Sequence, residues 1–463
     1  MNKNCAIILA AGEGKRMASN KPKVLCEVLF KPMLGWVIDA CKNSKINDRC
    51  VVAGFKSEQV IDFVGDSAQI VLQNERKGTA HAVKCAKSFL EQHMDGNVFV
   101  CCGDSPFLDD ETIMTALDIH NESEAAVTVI TANIENPYGY GRIVRKDGKM
   151  LAIVEEKDAK EDEKNICEIN SGAYWFCVKD LLEILDDIKP LNNQNEYYLT
   201  DAIKLFISRG KTVSAYLSKN SLIALGANDK LNLFKLNDIY RKVLIEKFMD
   251  DGVEFLSLDG IVISPDVVIG RGTQILPGTI LRGNTVIGED CIIGPNSLIE
   301  DSVVGDGSVI NFTQVYQSKI DHNVKIGPFC HIRPNSTICH SVKIGDFVEV
   351  KNSEIGAGTS VSHLTYVGDS DVGKNVNFGC GVVTINYDGV NKHRCKIEDG
   401  AFIGCNTNLV APVVVGKNAY TGAGSTITKD VPSYALGIER GKQCNVGGFS
   451  KKKLSGRKLK VKD

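Results

Sequence analysis

From Ile263 onward, aliphatic residues recur at every sixth position: Ile263, Ile269, Ile275, Leu281, Ile287, Ile293 and Ile299. The rhythm resumes at Ile326, Ile332, Ile338, Ile344 and Val350, and again at Ile355, Val361 and Val367. It returns at Ile397, Ile403, Leu409 and Val415 and continues through Thr421 to Ile427. Hexapeptide repeats wind into a parallel β-helix, each repeat supplying one face of a triangular coil with its aliphatic residue turned toward the axis. Glycine supports this reading, because 29 of the 43 glycines lie beyond residue 228, and a tight corner favours a residue without Cβ. Between Thr384 and Ile397 the rhythm fails. The intervening INYDGVNKHRCK must leave the coil as a loop, and long insertions on a solenoid collect on one face and tend to be functional.

The first half is built differently. Continuous apolar runs predict strands at Cys5–Ala11, Arg49–Gly54, Ala68–Gln73 and Val98–Cys102, and helical spacing predicts helices at Pro32–Cys41 and Thr79–Leu90. Strands alternating with helices form a mostly parallel sheet, whose ligand crevice lies at the carboxyl ends of the strands. Residues 229–250 read as one long helix through Leu233, Leu236, Ile239, Tyr240, Val243 and Leu244. Asn228 or Asp229 could cap it and Gly252 stops it. The expected organisation is a catalytic domain over 1–228, a linker helix over 229–250, a β-helix over 251–440 and a basic tail over 441–463.

Charge and cysteine usage exclude several classes. A net charge of −3 argues against a generic nucleic-acid binder. No apolar run approaches about 18 residues, so no membrane span is expected. The 16 cysteines are scattered over two large domains without a CxxC pair, which speaks against both a disulfide framework and zinc. The apolar stretch Cys5–Ala11 imitates a signal peptide, but Gly12-Glu13-Gly14-Lys15-Arg16 follows at once. A reduced, cytoplasmic enzyme is the natural expectation.

After the first strand comes Leu9-Ala10-Ala11-Gly12-Glu13-Gly14-Lys15-Arg16-Met17, then Lys21-Pro22-Lys23. It is neither a P-loop nor a complete dinucleotide fingerprint. Backbone amides in such a turn approach phosphates closely, and Arg16 and Lys23 offset charge in phosphoryl or nucleotidyl transfer. These residues resemble the sugar-phosphate nucleotidyltransferases, whose signature has the form LAAGxGxRM…PK. Gln73, Gly78-Thr79, Gly103-Asp104, Tyr140-Gly141-Arg142, Glu155, Asn170 and Asn228 extend the match. The resemblance implies that Leu9 to Gly12 and Lys23 cradle the nucleotide. It further implies that Gln73, Gly78 and Thr79 read uracil, that Gly141, Glu155 and Asn170 hold the sugar, and that Asp104 and Asn228 ligate Mg²⁺. One departure is Cys102, where this family often has Tyr. The implied reaction is attack of a sugar-1-phosphate oxygen on the α-phosphate of UTP, releasing pyrophosphate.

In the solenoid, Arg333, Lys351 and His363 interrupt a pattern of small polar residues, and Tyr366, Asn377 and Lys392 follow. His363 falls between the ladder positions Val361 and Val367, so it stands off the buried ladder and can face a groove. Ser362–Tyr366 and Asn386-Tyr387-Asp388-Gly389, together with the N-terminal signature and the helix, occur in an order that resembles one family over residues 4–440. That family is the bifunctional N-acetylglucosamine-1-phosphate uridyltransferase/glucosamine-1-phosphate acetyltransferases. It implies an α/β fold class: a Rossmann-like nucleotidyltransferase domain followed by a left-handed parallel β-helix. It implies a homotrimer through the β-helix, with small sugar phosphates, UTP and acetyl-CoA as ligands and neither nucleic acid nor membrane as partner. His363, an imidazole that can take up a proton, suits the proton acceptor in N-acetylation. Arg333, Lys351 and Lys392 would bind the sugar phosphate, with Tyr366 and Asn377 completing the pocket. By the same resemblance Cys380, Asn386, Tyr387, Cys405, Ala423 and Arg440 line the acetyl-CoA site, Cys380 and Cys405 standing where Ala or Ser is common.

Two competing readings predict different residues. A single-activity nucleotidyltransferase with an oligomerising solenoid needs neither His363 nor the 385–396 insertion. A non-enzymatic hexapeptide scaffold needs none of Arg16, Lys23, Asp104 and Asn228 in signature context.

Overall fold

The computed structural model describes residues 4–454. Residues 455–463 of the basic tail therefore lie outside the described residues. Contacts divide the chain into two compact units, Met1–Val243 and Leu244–Asp463.

The first unit is built on a sheet whose main path runs Val213–Leu217, Val127–Asn133, Glu168–Cys177, Asn97–Cys102, Cys5–Ala10, Asp48–Ala53 and Gln69–Leu72. Neighbours are parallel except where Glu168–Cys177 runs antiparallel to both of its partners. The predicted strands are present. The antiparallel strand carries Asn170, and the hairpin Arg142–Lys146/Lys149–Val154 attaches to it. Successive side chains of a strand point to opposite faces, so Ile7 and Val100 enter one core and Ile8 and Phe99 the other. The expected helix Thr79–Leu90 is two short ones, Thr79–Cys85 and Lys87–Glu91, broken at Ala86.

The long helix spans Lys230–Asp250. Asp229, not Asn228, caps it, accepting from the backbone N–H of Asn232 at 2.8 Å. In the first unit its Tyr240 packs edge-on against Trp36 with ring centroids 4.5 Å apart, and Asn237 accepts from the Leu29 N–H. Gly252 ends it at φ 91°.

The second unit is a β-helix of three parallel sheets with 11, 10 and 9 strands, each coil adding one strand to each sheet. The inward ladder is continuous through 300–325, where the hexapeptide rhythm is lost. Val304, Ile310, Val315 and Ile320 are all buried there, because some faces use five residues instead of six. The glycines play two roles. At Gly345 and Gly356 a Cβ would lie 2.1 Å and 2.4 Å from a carbonyl oxygen of the next coil, so the close stacking of coils excludes a side chain. Many left-handed corners, by contrast, are held by other residues, among them Asn335, Asn352 and Asp369. The insertion forms a compact loop in which Asp388 Oδ1 accepts from the N–H groups of Val390 and Asn391 at 2.7 and 2.6 Å. Among the described residues all the cysteines are free thiols, and no helix is long and apolar enough to cross a membrane.

Candidate active sites

In the first unit, a cleft of about 510 Å³ opens at the carboxyl ends of the parallel strands. Leu9, Ala11 and Gly12 lie at the end of one strand, Gln73 at the end of another and Cys102 and Asp104 at the end of a third; Lys23, Gly78 and Thr79 complete this part of its wall. Gly14 adopts φ 61°, and a Cβ there would lie 2.7 Å from Lys23 Cβ, so this turn brings Lys23 against the loop. The Lys23 ammonium pairs with Asp104 Oδ2 and donates to Asn228 Oδ1 at 2.7 Å. Two hard oxygen donors thus converge on one cation, a donor set that suits Mg²⁺.

The sugar-side residues form a second group. The backbone N–H of Asn170 donates to the Gly141 carbonyl at 2.8 Å, and Asn170 Nδ2 donates to the Tyr174 hydroxyl at 2.6 Å. A Cβ on Gly141 would sit 3.3 Å from Glu155 Oε1, so the glycine leaves the carboxylate uncovered. Burial raises the Glu155 carboxyl above its ordinary value, which Thr200 partly offsets by donating to it. The buried Arg142 anchors this loop through Glu156 at 2.7 Å and the Tyr140 carbonyl. Cys102 Sγ lies 3.1 Å from where a Cβ on Gly172 would be, and burial pushes its thiol up to about 12. It is therefore a neutral, apolar wall in place of a phenol.

Arg16 is exposed in a short 3-10 turn and does not line the cleft. Lys15 and Arg76 do, both paired with Glu13, at 3.9 and 3.2 Å. Sequence reasoning missed Arg76, which carries no motif. Its only signal is its place between Gln73 and Gly78.

In the solenoid two groups of residues form. Along one corner, Asp346 pairs with His363 in register, and successive coils place Cys380, Cys405 and Ala423 above it. Backbone bonds Gly381 N–H to His363 O, Asn406 N–H to Cys380 O and Gly424 N–H to Cys405 O fix that column. Arg440 reaches the same column, donating to the Ala423 carbonyl at 3.1 Å.

The other group lies around Asp369. Lys351 Nζ is 3.5 Å from Asp369 Oδ2, and Asn386 Nδ2 donates to the same carboxylate. Tyr366 lies beside them, its hydroxyl 3.4 Å from Asn386 Nδ2. A Cβ on Gly368 would lie 2.3 Å from that hydroxyl, so Gly368 is a missed part of the site. The ammonium groups of Lys351 and Lys392 face each other, and this proximity of like charges lowers Lys392, with Arg333 adding to the depression. Arg333 is held by Glu349 at 2.8 Å. Three cations therefore share one face, with Asp369 their buried anion, kept below its ordinary value by bonds from Asn352 and Asn386 and by Lys351 against the opposing effect of burial. Tyr387, in the insertion, is exposed and donates to the Gly389 carbonyl at 2.6 Å. Asn377 stays apart, on the face where it pairs with Ser360 and Phe402.

Comparison with known proteins agrees with both halves. Residues 5–235 match the nucleotidyl transferase family, and 266–301, 317–352 and 394–429 match the six-repeat bacterial transferase hexapeptide family. The bifunctional protein GlmU of Geobacillus sp. (strain WCH70) is 50% identical over 446 residues, covering 96% of this chain and 97% of that protein. Its counterpart from Caldanaerobacter subterraneus subsp. tengcongensis is 45% identical, covering 98% and 99%. That from Clostridioides difficile (strain 630) is also 45% identical, covering 97% of each. At this identity, over nearly the whole length, the chain belongs to the family of the bifunctional GlmU proteins.

Proposed function

We propose that the chain is a bifunctional enzyme of UDP-N-acetylglucosamine synthesis. The solenoid transfers acetyl from acetyl-CoA to the amine of glucosamine-1-phosphate. The first unit then transfers uridylyl from UTP to N-acetylglucosamine-1-phosphate. One observation carries this reading. A single chain holds both an oxygen–cation cluster at Lys23, Asp104 and Asn228 and a cationic face at Arg333, Lys351 and Lys392.

In the first reaction the sugar amine must be neutral to attack the thioester. His363 accepts the proton, and among the described residues nothing hydrogen-bonds its imidazole to prevent this. Arg333, Lys351 and Lys392 hold the sugar phosphate, which supplies the anion that adjacent ammonium groups need. Tyr366 and Asn386 orient the sugar, and the Cys380–Cys405–Ala423 column and Arg440 take the coenzyme. In the second reaction the nucleophile is already an anionic phosphate oxygen, so no general base is needed. Asp104 and Asn228 would hold Mg²⁺, which when bound neutralises phosphate charge. Lys23 stabilises charge on the transferring group, Gln73 and Thr79 read the base, and Glu155 and Asn170 fix the sugar.

We assign the functional oligomer as a trimer through the solenoid. Asn377 and His363 do not join the cationic cluster within one chain, so a second copy is needed to complete the pocket. An exposed apolar ladder runs beside His363: Phe312, Phe329, Phe347 and Leu364 are 38%, 54%, 58% and 58% accessible. Stripes of that kind mark association surfaces.

A paired substitution tests the reading with both half-reactions assayed on each protein. His363→Ala abolishes acetylation and spares uridylyl transfer, and Asp104→Ala does the reverse. Unchanged acetylation in His363→Ala removes His363 as the base.

A further inference from the structure

In the wall of the first unit's cleft, Gln73 is buried and makes two side-chain hydrogen bonds from one atom. Its Nε2 lies 3.0 Å from the Gly78 carbonyl and 3.0 Å from His81 Nδ1. A backbone carbonyl only accepts, so the amide nitrogen must face it. It follows that His81 Nδ1 is the acceptor and that the neutral ring carries its proton on Nε2. Gln73 Oε1 has no hydrogen-bond partner among the described residues, while Gln73 lines the cleft. Both anchors are themselves fixed. Gly78 sits at φ 110° with no room for a side chain, since a Cβ would lie 2.5 Å from the Tyr197 carbonyl. His81 lies on the helix Thr79–Cys85 with its ring 6.4 Å from that of Tyr197.

The geometry points to His81 as a positioning residue for base selection. It locks the Gln73 amide so that the cleft meets only an acceptor. A pyrimidine with N3–H, such as uracil, can donate to that oxygen, whereas cytosine offers N3 as a second acceptor and is rejected. The inference rests on the assignment of Gln73 to the base, which it deepens by naming what orients the amide. Discrimination is strong where a buried polar group would be left facing its like. Protonation of His81 would turn its Nδ1 into a donor against the amide NH₂ and release the lock. Burial keeps His81 below the ordinary histidine range, with Lys77 and Lys84 acting in the same direction and Glu75 opposing them. The remaining titratable neighbours are the Cys85 thiol, 4.0 Å from Nδ1, and the Tyr197 phenol.

The test is the ratio of kcat/KM for UTP to that for CTP, measured in the full-length enzyme against pH. His81→Phe is expected to lower the ratio about tenfold by raising KM for UTP and improving CTP, with dTTP following UTP. His81→Asn, whose side-chain oxygen falls near Nδ1, restores the ratio and abolishes its fall at acid pH. If His81→Phe lowers both efficiencies equally, or His81→Asn fails to rescue, the positioning role is wrong. Gln73→Ala separates the two levels. Collapse of the ratio there, with His81→Phe unaffected, overturns the role of His81 alone. An unchanged ratio in Gln73→Ala overturns the base assignment and the inference with it.

Discussion

The two units assemble their sites by opposite means. In the first, Lys23 meets Asn228 across 205 residues of chain, and the cleft exists only when the whole sheet has closed. In the second, Lys351 meets Asp369 across 18 residues, and this cationic face forms wherever one coil stacks in register on the next. A globular site therefore depends on its entire core. A solenoid site depends on its neighbouring coils, because stability there is nearly a sum of adjacent interfaces.

The largest expected effect follows directly. Trp175 is fully buried and its indole N–H donates to the Ile113 carbonyl at 2.9 Å. Trp175→Ala should cost about 3–5 kcal/mol and unfold the first unit cooperatively, removing uridylyl transfer while acetylation persists. Ile287→Ala, at an equally buried ladder position, should cost about 2–5 kcal/mol but act locally. Hydrogen exchange should accelerate only in the coils beside it, with both activities retained. Faster exchange as far away as Ile403 would erase the distinction between the units.

A pH effect of slightly smaller size belongs to the first unit alone. His120 is buried, bonded to Thr128 Oγ1 at 3.0 Å, and burial lowers its pKa to about 4. The unfolded chain takes up this proton near 6.5 and the folded chain not until about 4, so stability present above pH 6.5 is lost as pH falls through that window. The total is about 3 kcal/mol. Among the described residues, no histidine of the second unit is buried. Urea midpoints should therefore fall between pH 6.5 and 4 more steeply for the first unit, and His120→Phe should flatten that slope. A slope that survives the substitution assigns it to carboxylates instead.

The contrast also explains what was legible in sequence. The solenoid is readable because each inward residue repeats a single environment, and five-residue faces such as those at Val304, Val315 and Ile320 are what hide from a six-residue template. The parallel strands carrying Leu9, Gln73 and Asp104 were readable as buried apolar runs. Glu168–Cys177 was not, because its direction is set by partners distant in sequence. Arg76 and Gly368 escaped for a related reason, since each is defined by one contact that appears only in three dimensions. Asp369 is concealed differently. It occupies a left-handed corner at φ 48°, stacked in the same column as Asn352 and Asn335, and Asn or Asp at such a corner already has a sufficient backbone explanation.

That ambiguity makes Asp369→Asn the finest probe of the comparison. Asparagine suits a left-handed corner as well as aspartate does, so a residue present only for the turn should tolerate the change. In this structure the carboxylate also faces Lys351 and accepts from Asn352 and Asn386. Loss of its charge leaves the cationic face uncompensated and places an amide NH₂ against donors. Charged hydrogen bonds of this kind are worth about 1.5–3 kcal/mol, which corresponds to about a 10- to 100-fold fall in acetyl-transfer kcat/KM. Uridylyl transfer should be unchanged, and the melting temperature should move little. Wild-type acetylation in Asp369→Asn would reduce Asp369 to a corner residue. The intended loss with an intact melt would show that one coil position serves the turn and the site together, which the register of a solenoid permits.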